Sequence, residues 1–115
     1  MMNIKNLTPH PLTLRSATGQ DTVLPPSGTV ARVSATPGAV EDREGFPVPV
    51  ALPDTFGAVE GLPEPEEGTI CIVSGLVGAH VSRPDVFVPG TGPKDGAVRN
   101  EKGHIVAVTR LKATS

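Results

Sequence analysis

Thr69-Ile70-Cys71-Ile72-Val73-Ser74-Gly75-Leu76-Val77-Gly78-Ala79-His80-Val81-Ser82-Arg83-Pro84-Asp85-Val86-Phe87-Val88 is the stretch that decides the fold. Its first five residues are rich in β-branched side chains and apolar on both faces, the pattern of a central strand covered on two sides. Leu76, Val77 and His80 then fall at helical spacing behind Ser74, a good N-cap residue, which predicts one short helix over residues 74–82. The helix must end near Arg83, because the residue before a proline is pushed out of the helical region. Asp85 to Val88 reads as another short strand.

Outward from this stretch the chain is strands and turns. Ile4 to Leu14 reads as strand, bend, strand, because Pro9 and Pro11 lack the N–H that a ladder needs. Ser16 to Asp21 supplies a hairpin turn before Thr22-Val23-Leu24, and Pro25-Pro26-Ser27-Gly28 turns the chain into a strand over 29–34. There Ala31 and Val33 share one face, Val30 and Arg32 the other. Residues 35–45 read as a polar connection and Phe46 to Leu52 as an alternating edge strand with prolines on one side. Gly61 to Gly68 is an acidic, proline-held loop, and Pro89 to Gly96 a glycine-rich one. Asn100-Glu101-Lys102-Gly103 is a tight turn leading into a strand over 104–111, with Ile105, Ala107, Thr109 and Leu111 on one face.

Together these elements predict a single β-rich α+β domain over residues 1–115, built of small antiparallel sheets in a sandwich-like arrangement. The 13 prolines and 13 glycines leave little room for longer helices. The apolar share is 37%, yet there is no Trp, no Tyr and only three Phe. Val, Ala and Leu bury less area each, so the core should be thin, and association into a homo-oligomer is the natural way to add burial.

Charge and composition narrow the function classes. Ten Lys and Arg against 12 Asp and Glu give a net charge of −2, with no global attraction to an extended nucleic acid or an anionic membrane. No apolar run has signal-peptide or membrane-spanning length, and the lone Cys71 cannot form an internal disulfide, which predicts a cytoplasmic protein. No group of residues has the spacing of a catalytic centre. Ser74 lacks the flanking glycines of a nucleophile elbow, Cys71 sits in an apolar strand, and Glu64, Glu66 and Glu67 lie in a solvated loop. His10, His80 and His104 have no metal-site spacing, and the 89–96 loop lacks both the phosphate-loop spacing and a following helix. The expectation is therefore a binding protein, not an enzyme, with no metal and no cofactor.

Arginines on strands are the stronger signal. Arg32, Arg99 and Arg110 lie in or beside predicted strands, where guanidinium forks suit phosphate, although exposed charge also protects sheet edges. Phe87, with Arg83 nearby, offers a ring for a base, and His10, fixed between prolines, is a further candidate. A small nucleotide needs both a plane and cations.

Asn6-Leu7-Thr8-Pro9-His10, Pro26-Ser27-Gly28 to Ala31-Arg32-Val33, Gly61-Leu62-Pro63 leading to Gly68 through Ser74, and Arg83 through Pro89 resemble a group of small proteins of phages and prophages. The resemblance extends to the first described Thoeris anti-defence sponges, small β-rich oligomers that sequester cyclic ADP-ribose isomers and other cyclic nucleotides without cleaving them. It implies a phage-encoded protein that holds a host immune signal, with ligand contacts at Arg32, Phe87, Arg110 and Asn100. A virion or assembly accessory protein, and an enzyme acting on nucleotides, are the alternatives from other classes.

Overall fold

The computed structural model describes residues 2–115. Twelve strands alternate with turns: β1 (Asn3–Asn6), β2 (Leu12–Arg15), β3 (Asp21–Leu24), β4 (Arg32–Thr36), β5 (Val40–Glu41), β6 (Val50–Ala51), β7 (Thr55–Glu60), β8 (Thr69–Ile72), β9 (Val86–Pro89), β10 (Val98–Arg99), β11 (Ile105–Ala107) and β12 (Leu111–Ala113). The single helix, α1 (Gly75–Gly78), lies between β8 and β9. The chain is thus β-rich with one short helix and several small sheets, as its composition predicts.

The central sheet has the order β1-β8-β9-β12. Its pairings are mixed rather than wholly antiparallel: β1 and β9 both run parallel to β8, while β12 is antiparallel to β9. Parallel neighbours need a crossover of a dozen or more residues, and the segment 73–85 containing α1 supplies one between β8 and β9. Four two-stranded ribbons complete the fold: β2–β3, β4–β7, β5–β6 and β10–β11.

Strand β8 is the spine, as its apolar run predicts, with Cys71, Ile72 and the following Val73 all buried. Leu7, Ala31, Cys71, Val73, Val77 and Val86 form one core cluster, against which Val33, Val59, Leu62, Val81 and Val88 pack. The core contains no aromatic ring. A polar knot closes its β1 end. The buried Asn6 side chain donates to the carbonyls of His10 (2.9 Å) and Leu24 (3.0 Å). Its Oδ1 accepts from the backbone N–H (3.0 Å) and hydroxyl (2.6 Å) of Thr8. Every polar group of that amide is matched, which lets it lie in the interior without penalty.

Four local expectations are corrected. The helix is shorter than 74–82: Ser74 Oγ accepts from Val77 N–H (3.3 Å) as the N-cap, but regular helix stops at Gly78. Residues 46–52 do not form a continuous strand; only Val50 and Ala51 pair, with Val40 and Glu41 of the supposed connection, because Pro47 and Pro49 cannot donate to a ladder. Thr55–Glu60 is a strand that the sequence reading missed; it pairs with β4 through a register shift between Val33 and Ala35. The strand expected over 104–111 breaks at Thr109 and Arg110, so Ala107 and Val108 are both buried although adjacent. The chain leaves the β10–β11 ribbon there and joins the central sheet. Among the described residues, no helix is long and apolar enough to cross a membrane.

Candidate ligand cleft

The break at Thr109 and Arg110 builds the most chemically loaded cleft. β2 runs beside residues 107–109: Val108 N–H donates to the Thr13 carbonyl (2.9 Å), and Arg15 N–H to the Val108 carbonyl (2.8 Å). Past that contact the two segments diverge. The cleft between them, about 220 Å3, is bordered by Arg15, Ser16, Gln20, Thr22, Thr109 and Arg110 over an apolar floor that includes Leu14 and Leu111.

Each arginine is held by a carboxylate. Arg15 and Asp21 face each other across the β2–β3 ribbon, so the guanidinium grips both carboxylate oxygens (2.8 and 3.1 Å). The ion pair raises the pKa of Arg15 and lowers that of Asp21. Arg110 donates through Nε (3.0 Å) and Nη2 (2.6 Å) to Oδ1 of Asp95, and through Nη2 to the Lys94 carbonyl (2.8 Å). Lys112 Nζ reaches the other oxygen of Asp95 at 2.9 Å, and Gly92 N–H donates to it at 2.7 Å. The Asp95 side chain is only 2% exposed, whereas Arg110 and Lys112 keep about half of theirs in solvent. Hydrogen bonding from Lys112, then Arg110, holds the Asp95 pKa at about 2.

The cations are therefore fixed at one end and open at the other. Among the described hydrogen bonds, neither Arg15 nor Arg110 uses Nη1, so each guanidinium keeps a free donor edge. Hydroxyls and an amide between them add donors and acceptors of the kind a ribose or phosphate uses.

Of the residues singled out from sequence, Arg110 alone lines this cleft. Arg32 lies exposed at the start of β4, opposite Glu60. Phe87 is half-buried on β9, flanked by Ile72 and Ala113. Arg83 clamps both oxygens of Asp85 (3.0 and 2.6 Å) and donates to the Pro63 carbonyl (3.1 Å), which ties the acidic loop to the core. Arg99 donates to the Gly103 carbonyl (2.9 Å). Asn100 Oδ1 accepts from the N–H groups of Lys102 (2.9 Å) and His104 (3.0 Å), the work of a turn residue. His10 is exposed, its carbonyl anchored by Asn6 and Thr8. Within one chain, Arg32, Phe87 and Arg110 share no cleft among those found.

Arg15 is the residue that sequence reasoning missed. Its signal was present: Arg15 and Asp21 flank a five-residue turn, a spacing that puts opposite charges across a hairpin. A larger cleft of about 400 Å3 lies beside Lys5, Leu7, Ser27, Thr29 and Leu62. Its one cation, Lys5, is a point charge without the planar fork that grips a phosphate through two parallel hydrogen bonds, so it suits that anion less well. Cys71 is buried, and burial pushes its thiol pKa up, away from nucleophilic duty. No group of three or more His, Cys, Asp or Glu able to hold a metal occurs among the described residues. Comparison with protein families, with curated proteins and with solved structures finds no match to this chain.

Proposed function

We propose that this protein binds a small phosphorylated ligand of the cyclic-nucleotide type and holds it intact, as a phage-encoded sponge for a host immune signal. The observation that carries the reading is the pair of carboxylate-anchored guanidinium groups, Arg15 and Arg110, on the two rims of one hydroxyl-lined cleft. Anchored cations lose little freedom on binding, so more of the phosphate interaction appears as affinity. The cleft is smaller than the roughly 300 Å3 at which drug-sized sites begin. It fits a phosphate and its sugar, and the base would rest against a neighbouring chain, where Arg32 or Phe87 of a second copy is available.

Isothermal calorimetry with cyclic ADP-ribose isomers and cyclic dinucleotides tests this. Binding should be seen with at least one, and heat denaturation should release it chemically unchanged. Arg15→Lys and Arg110→Lys keep the ion pairs but lose the planar fork, and each should weaken binding about tenfold or more, a loss of about 1.4 kcal/mol. Absence of heat with every ligand would end the reading, and recovery of a cleaved product would move the protein to the enzymes. The elongated shape, with a longest dimension of 59 Å, also suits a particle-assembly protein. Stoichiometric incorporation into purified virions, read by mass spectrometry, would favour that second reading.

A further inference from the structure

Residues 32–60 leave the body of the molecule as an arm. Its base is anchored: Val33 and Val59 pack on the core, and the Phe56 ring lies 4.4 Å from that of His80. Beyond Thr36 and Thr55 the chain runs out through β5, turns, and returns through β6. None of residues 32–60 is buried, and only Val33, Gly38, Val50, Leu52 and Val59 are half-buried. Nine residues on each side of the tip give a reach of at most about 30 Å, in keeping with the elongation of a molecule 59 Å by 38 Å by 24 Å.

Such an arm has no reason of its own to be ordered. A two-stranded ribbon is marginal in water unless a face is covered, yet Val40, Phe46 and Val48 stand 68%, 55% and 64% exposed near its tip. The surface area says how much cover is missing. A compact monomer of this mass exposes about 5,900 Å2, whereas this chain exposes 7894 Å2. The excess of about 2,000 Å2 lies within the 1,000–2,500 Å2 that each chain contributes to an obligate homo-oligomer. The radius of gyration agrees: it is 17.5 Å, against about 13 Å for a compact chain of this length.

Charge selects the place where a second copy would receive the arm. The arm carries Arg32 and Arg43 against Glu41, Asp42, Glu44, Asp54 and Glu60, a net −3, so the chain's total of −2 leaves +1 on the rest. On the body, the β10–β11 hairpin presents Arg99 and Lys102 against one carboxylate, Glu101, around a shallow depression of about 630 Å3 that Asn100 and His104 also line, with Ile105 and Val106 exposed beside it. We infer that the arm tip of one chain docks on the β10–β11 hairpin of a second copy, Phe46 and Val48 against Val106, the more exposed apolar residue of β11, and the acidic turn 41–44 against Lys102. Because the two patches differ, the contact is satisfied twice in a two-fold reciprocal pair, or once per chain in a head-to-tail ring.

The experiment is sedimentation velocity on the full chain without ligand, at micromolar to tens of micromolar concentration. The wild type should sediment as an oligomer and Phe46→Asp/Val48→Asp as a monomer, with an unchanged far-ultraviolet circular dichroism spectrum. Lys102→Glu should raise the concentration of half-dissociation about tenfold or more at low salt, and adding Glu44→Lys should recover most of that loss. A monomeric wild type, or an arm variant that assembles like the wild type, would overturn the inference. Assembly unaffected by Lys102→Glu would overturn the β10–β11 receptor. Because no nucleotide is present, this outcome is independent of the calorimetric one.

Discussion

Asp95 shows how a single acidic residue organises the region of the molecule around the candidate cleft. It is the one carboxylate among the buried residues, and it binds Arg110, Lys112 and the Gly92 N–H together. Its pKa is lowered from the ordinary 3.8 to about 2, so its contribution to stability is complete above pH 4 and is lost as pH falls through 2. Asp21 and Asp85, also lowered by their arginines, add the same sign. Thermal midpoints measured from pH 6 to pH 2 should therefore fall with acid. Asp95→Asn should be less stable than the wild type at pH 6, and the gap between the two should narrow towards pH 2. A gap that stays constant over that range would show that the carboxylate charge is not what holds the 89–96 loop. None of this was visible in the sequence, where Asp95 sat in a glycine-rich loop that looked like plain surface. The charge pairs run between residues 95, 110 and 112, a separation that no local pattern reports.

Elements differ in how far local sequence could specify them. β8 was legible because an apolar run on both faces has one common outcome, and the Ser74 cap because its geometry is local. β7 was not, since Thr55-Phe56-Gly57-Ala58-Val59-Glu60 has weak alternation and is held by pairing with β4 far away in sequence. The strand expected over 104–111 failed for a related reason: Thr109 Oγ1 donates to the Asp95 and Gly96 carbonyls (both 3.1 Å), so tertiary bonds override the alternation. The α1 helix sets the same two influences against each other in a measurable way. Helix propensity favours alanine over glycine by about 1 kcal/mol. At Gly75 an added Cβ meets nothing within 4 Å, so Gly75→Ala should stabilise by about 0.5–1 kcal/mol. At Gly78 it would run into the Cγ1 methyl of Val88, a stiff β-branched neighbour packed on the core. Overpacking of that kind costs about 1–3 kcal/mol, so Gly78→Ala should be net destabilising by about 1 kcal/mol. Urea denaturation of the two variants compares them directly, and a stabilised Gly78→Ala would mean that α1 and β9 pack more loosely than the contact implies.

At the scale of the whole molecule, the shortage of aromatic residues and the large exposed area are two sides of one fact. A core of Leu, Ile, Val, Ala and Cys without rings buries little, and two of the three phenylalanines, Phe46 and Phe56, are spent on the arm instead. The sequence foretold the thin core; the arm itself was illegible, because its strands are short and interrupted by prolines. Stability must then rest on the small cluster around β8, and Cys71 at its centre offers a probe of it. Cys71 is 2% exposed, and burial raises its thiol pKa, so labelling by a thiol reagent requires the sheet to open. With a global stability of at least about 5 kcal/mol, the native protein should label more than about a thousandfold slower than the chain in denaturant. The rate should also follow the opening equilibrium: Val86→Ala, which empties space beside Cys71 in the next strand, should cost about 1–3 kcal/mol and speed labelling roughly in proportion. Variants confined to the arm tip, such as Val48→Asp, should leave the rate of the dissociated chain unchanged, since they touch no core contact. If instead the native thiol reacted within an order of magnitude of the denatured one, β8 would be opening by local fraying, and the cluster around it would not be the unit that holds the chain folded.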